Sequence, residues 1–136
     1  MRVMAVDYGD ARTGLAVSDP TGTLAGDAFV IREGNPKKLA DAIAKEAAAR
    51  GVGRLVVGHP RNMNGTLGPR AEKSAALAGL LRARTGLPVS LWDERRTTVE
   101  ARGVLHASGR HGKKNRALVD AVAAALILEG YLAGRS

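Results

Sequence analysis

Cysteine is absent from this 136-residue chain, and aromatics are scarce, with one Trp, two Tyr and one Phe. The first absence excludes disulfide scaffolds, thiolate zinc sites and thiol nucleophiles, and it agrees with a reducing compartment. The second leaves too few rings for a base-stacking surface, so Trp92 and Tyr131 are expected to pack against a core or a helix. Acidic residues are the minority charge, 13 against 21 Lys and Arg, for a formal net charge of +8. Long apolar runs are missing as well. The N-terminus meets a carboxylate at Asp7, which leaves no apolar segment of the export type. The uncharged run after Asp120, residues 121–128, is far short of the ~20 residues of a membrane span. A cytoplasmic protein without a membrane partner is the expectation.

What is present is a globular composition, 45% hydrophobic and 25% charged, at a length that buries roughly two-thirds of the unfolded surface. No repeat and no Pro/Gly/Ser-rich linker divides the chain, so residues 1–136 read as a single domain. The basic excess points to a polyanionic partner, because Lys and Arg that neutralise phosphates release condensed counterions. Of the 21 cations 15 are Arg, which GC-rich coding also produces.

Val3 to Val6 and Gly14 to Ser18 are short apolar runs flanking the turn-rich segment after Asp7, and they read as a hairpin. Asp19-Pro20-Thr21-Gly22 is a turn signal, with Ser18 as a turn-forming residue in preference to a polar support behind the site, and Ala28 to Ile31 gives a third strand. Asn35-Pro36 starts a helix over 37–50 that Gly51 ends. Leu55 to Gly58 lacks alternation, as a strand covered on both faces does. A helix follows over 71–84 with Gly86 past its end, then a strand over 89–92, a helix over 97–107 and an apolar helix over 116–133. Three consecutive strands pair antiparallel, and helical crossovers make the last two parallel. The fold class is therefore α/β, with a mixed five-stranded sheet flanked by helices.

Ligands in such sheets bind beyond the carboxyl ends of the parallel strands. If the first strand runs parallel to the last two, the loops after Asp7, after Gly58 and at Asp93-Glu94-Arg95-Arg96 share that edge. Asp120 is the one charge between Arg116 and Glu129 in a helix apolar around most of its circumference. A carboxylate buried there requires compensation. A cation or a catalytic role supplies it; so does a place near the helix start, with Asn115 as cap and Arg116 as ion partner. Three oxygen-donor carboxylates without Cys suit a hard cation, Mg²⁺ or Mn²⁺. Two such ions activate water and stabilise the leaving oxygen of a phosphodiester. Asp93 and Glu94 point to opposite faces if the strand persists, and the local pattern does not choose between them.

Arg12, Arg95 and Arg96 lie beside the acids, where a guanidinium grips a phosphate bidentately or pairs with the carboxylates. Arg110, Lys113 and Lys114 belong to a Gly-containing basic loop, residues 106–116, that offers nonspecific attraction to nucleic acid. His106 and His111 have no metal-ligand spacing, and a general base from this loop stays open.

Four motifs carry a resemblance: Asp7-x-Gly9-x-x-Arg12-x-Gly14-x-Ala16-x-Ser18-Asp19, Gly58-x-Pro60-x-Asn62-Met63-x-Gly65-Thr66, Asp93-Glu94-Arg95-x-Thr97-Thr98, and Asp120-x-x-Ala123-Ala124. In this order, over residues 3–132, they resemble the YqgF/RuvX family, which is similar to the RuvC Holliday-junction resolvases. The resemblance implies an RNase H-like fold and a metal-dependent nuclease that hydrolyses RNA in 5′-end maturation of 16S rRNA. It implies Asp7, Glu94 and Asp120 as the catalytic and metal-binding acids, with two Mg²⁺ or Mn²⁺ ions. His59 and Asn64 depart from the family pattern, where an apolar residue and Asp are common.

Structured pre-rRNA is the expected partner of a monomer or homodimer. A resolvase of four-way DNA is the alternative enzyme and needs two sites related by a dyad. A non-catalytic binding module would not need three intact acids. An ATP-handling protein of the sugar-kinase type would need a second such domain.

Overall fold

The computed structural model describes residues 1–60, 64–93 and 113–134, with side chains described from residue 119 in the last helix. Three strands come first: β1 (Arg2–Asp7), β2 (Arg12–Ser18) and β3 (Ala25–Arg32). All three outrun their apolar stretches, because the ladder continues through flanking polar and small residues, Arg2 and Asp7, Arg12 and Thr13, Ala25 to Asp27 and Arg32, whose backbones stay paired. β1 and β2 are antiparallel, with Ala5 opposite Ala16 and Asp7 opposite Gly14. β2 and β3 are antiparallel, with Arg12 opposite Arg32.

Helix α1 (Pro36–Ala49) opens on Asn35, whose Oδ1 accepts from the amides of Lys37 at 2.9 Å and Lys38 at 3.1 Å. Gly51 leaves the helix at φ +67°, the left-handed position a glycine fills without strain. Then come β4 (Val52–His59), α2 (Pro69–Thr85), β5 (Val89–Asp93) and α3 (Lys113–Gly134). α2 starts two residues before the apolar pattern, since Pro69 at its first turn has no amide to satisfy. α3 starts at Lys113, so Asn115 lies inside the helix and does not cap it. The expected helix over 97–107 lies outside the described residues.

Strand order is β3-β2-β1-β4-β5, with β1, β4 and β5 mutually parallel. Their carboxyl ends therefore share one edge. Pleat alternation divides the sheet between two cores. Met4, Val6 and Leu55 pack against Leu39 and Ile43 of α1 and Leu77 of α2. On the other face Val3, Ala5, Ala16 and Val56 meet Ala124, Ile127 and Leu128 of α3. Each such fully buried Leu or Ile contributes roughly 1.5–3 kcal/mol. Trp92 packs on this face, edge-on to Tyr131 at 6.0 Å and 81°. Gly130 and Gly134 leave room for its ring, since a Cβ on either would stand 3.3 or 3.0 Å from it.

Ser18 does not form the turn. It is 1% exposed, its Oγ accepting from the Val3 amide at 2.9 Å and donating to the Asp19 carbonyl at 2.9 Å. Asp19 organises the turn instead, its carboxylate accepting from Thr21 Oγ1 at 2.5 Å and from the amides of Thr23 at 2.9 Å and Leu24 at 3.0 Å.

Candidate active site

Asp7 closes β1 at the shared carboxyl edge, and the pleat that turns Val3 and Ala5 toward α3 turns Asp7 the same way. Its partner across the ladder is Gly14. A Cβ built on Gly14 would stand 2.0 Å from the carbonyl oxygen of Asp120 and 2.7 Å from its carbonyl carbon. Bare backbone at Gly14 is therefore what lets α3 press onto the sheet beside Asp7. Two acids 113 positions apart in sequence are brought to one face by a strand pair and a missing side chain.

Arg12 is on that face too, two residues from Gly14 on β2. Its Nε lies 3.1 Å from Asp120 Oδ2, with side chains 30% and 27% exposed. The contact is an ion pair without hydrogen-bond directionality. Oδ2 is buried and accepts no hydrogen bond among the described residues. Among the described residues, charge compensation of Asp120 comes from Arg12, 108 residues away, on another element; the side chain of Arg116 lies outside them. The turn leading into β2 is tight: a Cβ on Gly9 would stand 2.2 Å from the Arg12 carbonyl oxygen, and the Gly9 amide donates to buried Thr13 Oγ1 at 3.4 Å.

Of the two adjacent acids at the end of β5, Asp93, its last residue, is described. Trp92 packs with α3, so the pleat carries Asp93 to the opposite face, in register with His59, which is 3% exposed. Glu94, Arg95, Arg96 and Arg110 lie outside the described residues, as do the side chains of Lys113 and Lys114, whose backbones open α3. Among the described residues no three His, Asp or Glu side chains form a ligand cluster. Asp7 and Asp120 are the pair that the described residues supply.

Arg32 was not singled out from the sequence. The β2–β3 register sets it directly opposite Arg12. Only the hairpin register could have exposed that pairing, because the two arginines are 20 positions apart with a turn of unpredicted length between them. Asn64, the other departure from the family pattern, accepts from the Thr66 amide at 3.1 Å and from its hydroxyl at 2.6 Å, and so shapes the loop before α2.

The family model described as RuvX, Holliday junction resolvase, matches residues 1–134. A Pelotomaculum thermopropionicum protein that carries the name pre-16S rRNA nuclease is 45% identical over 133 residues, 97% of this chain and 86% of that protein. A Listeria monocytogenes protein of the same name is 42% identical over 134 residues, 97% of each chain. Among solved structures, Thermus thermophilus RuvC in complex with a Holliday junction substrate superposes with a TM-score of 0.59 at 16% identity, over 99% of this chain and 96% of that one. That likeness is one of fold, the RNase H-like architecture the motifs imply. With a family match over nearly its whole length and relatives above 40% identity, the chain belongs to the RuvX family.

Proposed function

We propose that this chain is a divalent-metal-dependent endonuclease that acts on precursor 16S rRNA, with residues 1–136 working as one domain. Membership of this nuclease family makes it a hydrolase of phosphodiester bonds, and its substrate is a nucleic acid. Among the described residues no helix is long and apolar enough to cross a membrane. What supports RNA as the substrate is the name carried by relatives 45% and 42% identical over 97% of the chain. The family description and the RuvC likeness favour four-way DNA as the second reading.

The residues present fit a hard cation. Asp7 and Asp120 offer carboxylate oxygens on one face, no thiol competes, and a buried Asp120 oxygen lacks a hydrogen bond. A bound divalent cation supplies Lewis acidity and a nucleophilic water at neutral pH. In this reading Asp7, Glu94 and Asp120 hold it. Glu94 is preferred to Asp93 because Asp93 lies on the face away from Asp7. Arg12 orients the phosphodiester, and the bare backbone at Gly9 and Gly14 lets a phosphate come close. Arg95, Arg96, Arg110, Lys113 and Lys114 are assigned to the approach of the nucleic-acid backbone.

Purified protein with Mg²⁺ or Mn²⁺ is expected to cleave a 16S precursor fragment faster than a four-way DNA junction. Asp7→Asn and Asp120→Asn should each lower cleavage by at least about 100-fold, more than loss of an outer-shell partner costs. Cleavage that survives either substitution removes the assigned cation site. Preference for the junction, together with a stable homodimer, replaces the RNA reading with the resolvase one.

A further inference from the structure

We propose that Arg12 and Arg32 form a phosphate-binding pair, with Arg12 held on Asp120 until a divalent cation takes that carboxylate. The inference rests on the reading of Asp120 as a cation ligand. Arg12 and Arg32 are directly opposed across β2 and β3, a position in which like charges repel. Asp120 neutralises Arg12 alone. Arg32 is exposed, and among the described residues no carboxylate pairs with it. The pair therefore carries one uncompensated positive charge at the substrate edge, and two once Arg12 leaves Asp120.

A cation binding at Asp120 needs the same oxygen lone pairs that Arg12 faces, and its double charge repels a guanidinium beside it. Arg12 then has to move. Its backbone stays fixed on β2, two residues from Gly14, so its head can swing only within the same face, toward the side where Arg32 already stands. A phosphodiester supplies the anion both then lack, and two planar forks suit its paired oxygens. Cation and nucleic acid consequently assist one another's binding, by the same factor in each direction.

The test uses the full chain, Mn²⁺ titrated by electron paramagnetic resonance, and a fluorescein-labelled RNA hairpin followed by anisotropy in EDTA or in Ca²⁺, which takes oxygen ligands as Mg²⁺ does. Arg12→Gln should tighten Mn²⁺ binding without RNA by roughly two- to fivefold, the range set by a partly exposed ion pair. It should leave hairpin affinity in EDTA almost unchanged and weaken it several-fold in Ca²⁺. Arg32→Gln should weaken the hairpin in both media and leave Mn²⁺ affinity unchanged. Arg12→Lys, which keeps the charge without the fork, should retain wild-type Mn²⁺ affinity and a reduced Ca²⁺ gain. An Arg12→Gln chain that binds Mn²⁺ more weakly, or loses hairpin affinity equally in EDTA and Ca²⁺, overturns the exchange. Unchanged Mn²⁺ affinity in Asp120→Asn overturns the ligand reading beneath it; reduced affinity there with no Arg12 effect overturns the exchange alone.

Discussion

A methyl group on Gly14 has no free volume to enter, because the Asp120 carbonyl occupies the place where it would stand. Interiors are packed too tightly to absorb such an overlap without moving backbone. Gly14→Ala is expected to cost about 1–3 kcal/mol and to move Asp120 relative to Asp7. Urea denaturation should report the first, and Mn²⁺ affinity of the still folded variant the second. Asp19 provides a different test. The Thr21 hydroxyl above all, with the Leu24 and Thr23 amides, lowers its pKa from 3.8 to about 2. A carboxyl whose folded pKa is depressed contributes stability above its unfolded value and loses it as pH falls through the folded one. That contribution is present above about pH 4 and disappears toward about pH 2. Asp19→Asn keeps an acceptor at the same place, so its stability should fall less than that of the wild type across this window, as read by denaturation midpoints at each pH. Asp7, Arg12, Gly14 and Asp120 were all legible as motif positions. The roles of Ser18 and Arg32 were not, since one depends on what is buried beneath it and the other on what lies across the ladder.

At the scale of elements, α1 and α3 do different work on opposite faces of one sheet. α1 stands behind the site and supports it through Leu39 and Ile43. Its start depends on Asn35, and Asn35→Ala should cost about 1 kcal/mol in thermal or urea unfolding while leaving the cleavage rate at saturating metal unchanged. At its far end Arg50 ties the helix to β3, reaching Glu46 at 3.0 Å and Asp27 at 3.1 Å and covering the Phe29 ring at 4.2 Å. α3 carries Asp120 itself, and the small residues beneath it (Ala5, Ala16 and Gly14) set how closely it docks. Strand and helix identities were readable from apolar runs, the Asn35-Pro36 start and the Gly51 and Gly86 stops, because those signals are local. Most element ends were short by one to three residues, because polar and small residues at strand and helix ends pair their backbones without any apolar signature, while the first helix stopped one residue before its expected end.

For the whole molecule, a net charge of +8 predicts salt-sensitive binding. If about four phosphates are neutralised, a fourfold rise in salt should weaken RNA binding by roughly two orders of magnitude, with log affinity linear in log salt concentration. Anisotropy titrations of the Asp120→Asn chain, which should bind without cleaving, measure that slope, and a flat response would assign the basic excess to some purpose other than phosphate contact. The sequence by itself determined the order of the described elements and the mixed sheet, which follow from local patterning, and it left carboxylates without thiols as donors. Only the tertiary structure decided which face Asp7, Asp93 and Asp120 occupy, that Asp93 turns away from Asp7, and that Arg12 pairs with Asp120. Pleat parity, strand register and the depth to which α3 sinks over Gly14 are relations between segments far apart in the chain, and no local pattern encodes them.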